Sequence, residues 1–285
     1  MTSPLVSIII RTYPSRERFL QQALKSINSQ TYSNLEVILV EDGGDTVSAL
    51  AESYSELSKH KIHYISAHKC GKVKVGNIGL AASSGDFIGF LDDDDILFPD
   101  HVTVLVNSLQ QNAGCTACYG QSHKFELDSP ITQPLNDQIK KKAFGKDRFS
   151  KLALMYKNYL PIQSVLFRKS AYLEYGGFDE TLDDLEDWDL WLRYCMVQPF
   201  LAVPQITSAF RVPETQDARN TRMQNHMSSL QCIRNKQKTY TMMVTGEDIL
   251  EEHVPLARQK FSGGRILSWI NKLMNYRTFK SNDKY

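Results

Sequence analysis

The feature that most constrains the fold is a regular alternation of short apolar runs with helical patterns over the first third of the chain. Aliphatic and β-branched residues predict strands at residues 6–10, 35–40, 62–65 and 87–91. Apolar residues at helical spacing predict helices between them, at residues 19–28, 47–57 and 77–82. Strands that alternate with helices form parallel sheets joined by right-handed crossovers. We therefore predict an α/β fold with a mixed, mainly parallel sheet flanked by helices.

The remaining sequence predicts one large domain with an appendage, because 285 residues can share a single core. Residues 129–148 are polar and contain Pro and Lys, which is typical of a connection between two halves. A strand at 165–167 and a helix at 187–196 follow, and the pattern is helical beyond Arg219. The predicted boundaries are 1–230 for the main domain, with halves 1–125 and 126–230, and 231–285 for a helical C-terminal extension.

The charge balance and the cysteines predict the class of partner and the compartment. Lys and Arg number 33 against 32 Asp and Glu, so no overall positive charge favours nucleic acid. The apolar start runs directly into Arg11, which predicts a buried strand rather than a signal peptide, and no later run has the apolar length of a membrane span. The 5 scattered cysteines are typical of reduced thiols. We expect a cytoplasmic protein that does not bind nucleic acid.

Four consecutive aspartates, Asp92 to Asp95, directly follow the predicted strand at 87–91. In open α/β sheets the ligand crevice lies outside the carboxyl ends of the strands. Adjacent carboxylates repel one another unless a cation or a solvated loop relieves them, and Mg²⁺ or Mn²⁺ prefers oxygen ligands of this kind. The run is therefore either a metal site or a solvated acidic turn before the next helix.

Two further carboxylates have a functional and a structural interpretation. Asp42 follows the predicted strand at 35–40 and precedes Gly43-Gly44, where a backbone can approach a planar ligand closely. It would accept a hydrogen bond from a base or a ribose, or else from its own turn. Asp187 begins a helical pattern beside Trp188, where it would accept a proton from a hydroxyl group or else cap the helix.

Read together, four blocks of this sequence resemble family 2 inverting glycosyltransferases with a GT-A fold, and the resemblance covers roughly residues 4–212. The blocks, in chain order, are Arg11-Thr12-Tyr13-Pro14, Glu41-Asp42-Gly43-Gly44, Asn77 to Asp95 with its aspartate run, and Gly176-Gly177-Phe178 followed by Glu186-Asp187-Trp188. Any one block can arise by chance, but four in the right order are specific. The fold that the resemblance implies is GT-A, which is Rossmann-like.

The resemblance also implies roles for individual residues. It implies that Asp94 binds the metal, Mn²⁺ or Mg²⁺, and that Asp187 is the catalytic base. The nucleotide-sugar contacts that it implies are Thr12, Tyr13, Glu17, Asp42, Lys74, Asn77, Asp92 and Asp93. Two departures stand out: Gly76 occupies a position where the family often has Arg, so Lys72 or Lys74 is expected to take over phosphate contact. Residues 210–214 lack the His that often completes the metal site.

The reaction that the resemblance implies is transfer of a sugar, with inversion, from a nucleotide sugar to a glycan or lipid-linked acceptor. UDP- or dTDP-sugars are the expected donors, and a bacterial surface polysaccharide is the expected product. One alternative is a sugar-1-phosphate nucleotidyltransferase, which needs a Gly-rich phosphate loop that residues 11–18 do not contain. The other is a catalytically inactive scaffold that binds sugar nucleotides.

The last residues predict a basic amphipathic helix from about Arg265. Apolar residues recur at helical spacing around Trp269, and Lys and Arg surround them. Such a helix can lie in an anionic membrane interface, or its apolar face can pack on the protein itself. Because Gly263-Gly264 would free the helix from the domain, we expect peripheral contact with the inner face of a membrane.

Overall fold

The computed structural model describes residues 3–126, 143–212, 216–243 and 245–246. The helix expected from Arg265 and most of the connection expected at 129–148 lie outside these ranges. The described residues up to Tyr240 form one compact unit. Within these ranges, every helix is too short or too polar to span a bilayer.

The first half of the chain forms the parallel part of the sheet, as predicted. Its strands are β1 (Val6–Thr12), β2 (Leu35–Asp42), β3 (Lys61–Ala67) and β4 (Phe87–Asp92). The crossover helices are α1 (Glu17–Asn28), α2 (Ser48–Leu57) and α3 (Lys72–Ala82). All of these strands pair in parallel, in the order β3-β2-β1-β4. Their carboxyl ends therefore share one edge of the sheet.

The second half extends the same sheet in a mixed arrangement. Its strands are β5 (Ile96–Leu97), β6 (Ala117–Glu126), β7 (Val165–Arg168) and β8 (Phe200–Val212). Strand β7 pairs antiparallel with β4, and the complete order is β3-β2-β1-β4-β7-β6-β8-β5. The helices are α4 (His101–Gln111), α5 (Lys151–Tyr156), α6 (Lys169–Tyr175), α7 (Glu186–Val197) and α8 (Gln216–Gln237), with a 3₁₀ turn at Ile162–Ser164. The predicted mixed sheet flanked by helices is confirmed.

Strand β8 is the largest element that the sequence patterns did not predict. It mixes buried and exposed residues irregularly, and it contains Pro204. Its register against β6 shifts twice, between Gly120 and Gln121 and between Gln121 and Ser122. An irregular strand lacks the strict alternation by which strands are found in sequences.

The core lies on both faces of the sheet, so the central strands are buried on both sides. In β1, Ile9 packs in a cluster with Leu80 and Trp188, whereas Ile8 belongs to a second cluster with Leu24. Burial on both faces explains why β1 and β2 read as continuous apolar runs. Helix α8 crosses the boundary predicted at residue 230, and its Ile233 is fully buried in the first cluster.

Candidate functional site

The parallel strands place several of the predicted site residues at one edge of the sheet. Arg11 lies beside Asp92 in the pairing of β1 with β4, and Thr12 lies beside Glu41 in the pairing of β1 with β2. The turns after β1, β2 and β4 therefore meet, although they are distant in the sequence. This edge is the place where ligands bind in open α/β sheets.

A cavity of about 300 Å³, which we call the strand-end cavity, opens at this edge. Six residues predicted to bind the nucleotide or the metal line it: Thr12, Tyr13, Asp42, Asp92, Asp93 and Asp94. Lys72, expected to contact phosphate, lines it as well. The structure thus brings together most of the predicted donor residues, and it adds Arg16 and Arg211, which the sequence did not single out.

Arginines hold the aspartate run in place. Arg16 donates hydrogen bonds to Asp93, with Nη2 2.7 Å from Oδ1, and the same nitrogen lies 2.8 Å from Oδ2 of Asp94. Thr12 also donates to Asp93, at 2.7 Å. Burial nevertheless raises the pKa of Asp93 to about 6 against the opposing effect of Arg16. Burial and the nearby Asp92 likewise raise the pKa of Asp94.

Asp95 has a structural role that separates it from the rest of the run. Its buried Oδ1 accepts the backbone N–H of Arg211 at 3.1 Å, and Arg211 Nε donates to the Asp94 carbonyl at 2.8 Å. Burial, together with Asp94 and Asp92, raises the pKa of Asp95 well above its usual range. These bonds tie the end of β4 to β8, so the aspartate run is not simply a solvated turn.

Asp42 organises the loop before α3 while it lines the strand-end cavity. Its Oδ1 accepts the backbone N–H groups of Cys70 at 2.7 Å and of Gly71 at 3.1 Å. Gly43 has φ = 88°, and a Cβ there would lie 2.8 Å from the Lys69 side chain. The turn after β2 therefore needs a glycine, and both interpretations of Asp42, as a turn residue and as a ligand contact, fit its position.

Three of the residues predicted to contact the donor do not line the strand-end cavity. Asn77 Nδ2 donates to the Phe178 carbonyl at 3.0 Å and to Glu180 at 2.9 Å, and Asn77 Oδ1 accepts the N–H of Phe178 at 2.8 Å. Asn77 therefore joins α3 to the turn after α6. Glu17 lies in the first turn of α1, and Lys74 is exposed on α3.

A second cavity of about 370 Å³, which we call the α7 cavity, adjoins the first. Arg11, Lys72, Asp92, Asp94 and Arg211 line both cavities. The α7 cavity also contains Asp187 and Asn158, with the rings of Phe144 and Phe210 on its wall. The structure therefore places the predicted base in a cavity that shares a wall with the predicted nucleotide and metal site.

Glu186 and Asp187 are adjacent carboxylates in opposite electrostatic environments. Glu186 is buried, and it lies 2.8 Å from Arg11 Nη1 and 3.1 Å from Lys72 Nζ. Burial opposes ionisation, but these two cations outweigh it and lower the pKa of Glu186 to about 2. Asp187 accepts hydrogen bonds from Asn158 at 3.0 Å and from the N–H of Trp188 at 2.8 Å. Burial and then the charge of Glu186 raise the pKa of Asp187 to about 7.

The residues at the shared wall suit a divalent cation that also binds a diphosphate. No three His, Cys, Asp or Glu side chains are arranged as a metal cluster within the described ranges. Mg²⁺ usually needs only one or two protein carboxylates, because substrate phosphates and waters complete its coordination. Asp92 and Asp94 both line the two cavities. His226, which lines the α7 cavity, contacts the Asp184 carboxylate through Nδ1.

The site also contains residues that the sequence reasoning missed. Arg11, Arg16 and Arg211 pair with the aspartate run, and Asn158 holds Asp187. Only Arg11 lay within one of the quoted motifs. Arg16 and Arg211 bond to residues 77 and 117 positions away in the sequence, and Asn158 lies in a loop without a recognisable motif. No local pattern therefore indicated them.

Comparison with known proteins gives a consistent result. The family model described as Glycosyl transferase family 2 matches residues 7–171, more than half of the chain. An uncharacterized glycosyltransferase of Rickettsia typhi is 29% identical over 224 residues, covering 75% of this chain and 66% of its own length. The uncharacterized glycosyltransferase YwdF of Bacillus subtilis is 30% identical over 189 residues, covering 66% of this chain and 67% of its own length. The chain thus spans about two thirds of the length of these two relatives.

Solved structures show the same fold at low sequence identity. S. aureus TarS 1-349 in complex with UDP-GlcNAc has a TM-score of 0.59 at 16% identity, covering 74% of this chain and 60% of that one. The mannosyltransferase PcManGT of Pyrobaculum calidifontis, in complex with GDP-Man and Mn²⁺, has a TM-score of 0.61 at 14% identity, covering 99% and 82%. The fold is therefore GT-A. The match to the family model over residues 7–171 shows that the chain belongs to glycosyl transferase family 2.

Proposed function

We propose that this enzyme transfers a sugar from a nucleotide sugar to an acceptor hydroxyl, with inversion and with the help of Mg²⁺ or Mn²⁺. The observation that carries the proposal is the pair of adjoining cavities. One contains the carboxylates and cations suited to a nucleoside diphosphate, and the other contains Asp187. This arrangement supports residues 1–125 as the donor half and 126–230 as the acceptor half.

The donor would lie in the strand-end cavity. Thr12, Tyr13 and Asp42 would contact the nucleoside, and Asp92 and Asp93, which line the same cavity, would assist them. Asp94 would hold the cation, whose charge offsets the negative charge on the departing nucleoside diphosphate. TarS binds UDP-GlcNAc and PcManGT binds GDP-Man, which supports a nucleotide-sugar donor. We favour UDP- or dTDP-sugars.

Asp187 would act as the general base in the α7 cavity. It takes the proton of the acceptor hydroxyl while the hydroxyl oxygen attacks the anomeric carbon and the bond to the diphosphate breaks. A single displacement inverts the configuration at that carbon. A base is most effective when its pKa lies near the working pH, and the pKa of Asp187 is raised to about 7.

We further propose a glycan or lipid-linked acceptor in bacterial surface polysaccharide synthesis, with the enzyme at the cytoplasmic face of a membrane. The basic amphipathic pattern from about Arg265 supports the membrane contact. Sedimentation with anionic vesicles tests it: the full chain should pellet with the vesicles in a salt-sensitive way, and a chain ended at Ser262 should not. Equal sedimentation of the two would refute the membrane role of the tail.

A thermal-shift panel of UDP-, GDP- and dTDP-sugars with and without Mn²⁺ tests the proposed function. A donor at 100 times its Kd should stabilise the protein by about 2.7 kcal/mol. Incubation with the stabilising donor should then release a nucleoside diphosphate and a free sugar. Stabilisation without any release would support the scaffold alternative, and no stabilisation by any donor would refute the proposal.

A further inference from the structure

Arg11 joins the two cavities through a buried bridge between distant parts of the chain. Its side chain donates to Asp92 twice, from Nε to Oδ1 at 2.7 Å and from Nη2 to Oδ2 at 3.0 Å. Its remaining nitrogen, Nη1, donates to Glu186 Oε1 at 2.8 Å. Arg11 is only 6% exposed. One guanidinium therefore connects the end of β4 with the first turn of α7.

Aromatic rings fix the orientation of this guanidinium. Its central carbon lies 5.8 Å from the ring centre of Phe90 and 5.7 Å from that of Phe178. A Cβ at Gly76 would lie 2.5 Å from the Phe178 ring and 3.6 Å from Arg11 Cδ. The absence of a side chain at residue 76 thus leaves room for Phe178 beside Arg11. Gly76, one of the departures from the family pattern, therefore lies beside Arg11 in the structure.

Arg11 is also the more deeply buried of the two cations that face Glu186. Lys72 is the other cation, but its side chain is 45% exposed and also pairs with Asp184 at 2.5 Å. A buried carboxylate that loses its partner is costly, because neither water nor the protein then compensates its charge. Without Arg11, Glu186 would keep only Lys72, and we expect the first turn of α7 to shift.

We propose that Arg11 is a positioning residue for sugar transfer, because it holds Glu186 and therefore the adjacent Asp187 at a set place relative to Asp92. The inference rests on the proposed function. Leu185, directly before Glu186, has a left-handed backbone with φ = 60°, which is costly for a leucine. The start of α7 therefore depends on contacts such as the Arg11 bridge. A displacement of about 1 Å in a reacting group can lower a rate by about 10²-fold.

Two substitutions at Arg11 test the proposal by their effect on turnover. With water as the acceptor and the donor that gives the largest thermal shift, Arg11→Met should lower kcat about 10²-fold. The donor KM should change little by comparison. Arg11→Lys keeps the charge but cannot span both carboxylates, so it should recover only part of the activity. Wild-type kcat in Arg11→Met would overturn the proposal.

Arg168→Met is the control for loss of a partly buried arginine that bonds to distant residues. Arg168 donates to the carbonyls of Cys115 at 2.9 Å and Leu109 at 2.7 Å, and it pairs with Phe87 at the opposite end of β4 from Asp92. It should therefore lower stability without lowering kcat. An equal loss of kcat in this control would show that general destabilisation, rather than positioning, explains the Arg11 variants.

A double-mutant cycle measures the coupling free energy between Asp92 and Glu186 through Arg11, and it needs no ligand. Asp92→Asn and Glu186→Gln are combined, and urea unfolding gives the coupling between them. We expect coupling in the Arg11 background and none in Arg11→Lys or Arg11→Met; coupling that persists without Arg11 would refute the bridge. A wild-type enzyme that binds and cleaves no nucleotide sugar would refute the proposed function instead, whatever the cycle shows.

Discussion

Three aspartates of the strand-end cavity pair with arginines, whereas Asp187 in the α7 cavity is held by a neutral amide. In the strand-end cavity, Asp92 and Asp93 each lie within 2.7 Å of an arginine nitrogen, and Asp94 lies 2.8 Å from Arg16. In the α7 cavity, the side chain that donates to Asp187 is the neutral amide of Asn158. Burial raises the pKa of Asp93 and Asp94 as well as that of Asp187, so the partners make the difference: arginines hold Asp93 and Asp94 in place, whereas Asp187, held by a neutral amide, is suited to accept a proton.

Glu186 and Asp187 show that the groups around a carboxyl group, rather than its position in the chain, decide its pKa. They are adjacent in the first turn of α7, yet the pKa is lowered to about 2 in one and raised to about 7 in the other. Arg11 and Lys72 cause the lowering, and burial beside a charged neighbour causes the rise. Five predictions test the roles that this comparison gives to the residues of the two cavities.

The largest effect is expected for Asp187→Asn, because the amide cannot accept the proton of the acceptor. Turnover should fall by about 10²- to 10⁴-fold, the usual contribution of a general base. Binding of the donor, measured by calorimetry, should stay nearly unchanged. Asp183→Asn, an exposed site in the preceding loop, is the matched control. Near-normal turnover of Asp187→Asn would mean that another group is the base.

The next effect is expected for Asp94→Ala, measured as Mn²⁺-dependent affinity for UDP. The affinity should fall by at least about 10-fold. Substitution of residues that only hydrogen-bond to metal ligands already lowers metal affinity by about 10- to 100-fold. Asp93→Ala should lose less, because Asp93 is buried between Thr12 and Arg16. Equal UDP affinity with and without a chelator in the wild type would contradict the metal role of Asp94.

A smaller effect is expected for Tyr13→Ala, which removes a ring from the strand-end cavity. Tyr13 is 48% exposed, so its loss should cost little stability. Aromatic stacking on a base contributes about 1–3 kcal/mol, and the half-exposed ring should be near the lower end, or roughly 10-fold in the Kd of UDP. Turnover at saturating donor should not change. Tyr156→Ala, an exposed tyrosine on α5, should leave the Kd unaltered.

The smallest effect concerns pH. Donor cleavage should rise with pH through about 7 as Asp187 loses its proton. Asn158→Leu removes a hydrogen bond that favours the charged form, so the midpoint of the pH–rate profile should move upward; a downward shift would contradict this account.

The free energy of unfolding should fall with rising pH, whereas the rate of donor cleavage should rise. Folded Asp187 keeps its proton up to about 7, whereas the unfolded residue loses it near 3.8, so its contribution to stability falls as pH rises across that window. Urea unfolding of the wild type and of Asp187→Asn checks this, since the substitution should remove that part of the slope.

The sequence by itself determined the parallel half of the fold and the place of the main functional groups. The apolar runs that become β1, β2 and β4 are strong local signals because both faces of these strands are buried. Asp42 and the aspartate run follow two of these strands directly, so the strand-end rule located them. Asp187 drew attention for a different reason: it begins a clear helical pattern, and the family resemblance implied that it is the base.

Only the tertiary structure decided which of these groups are paired, and with what. The Arg11–Glu186 contact spans 175 residues, and Arg16 reaches Asp93 across 77. Asn77 fitted a motif for donor contact, but the structure places it between α3 and the turn after α6. Local periodicity reports burial and backbone preference over one or two turns. The charged side chains that surround each carboxylate depend instead on how distant segments pack. No short window of the sequence contains that information.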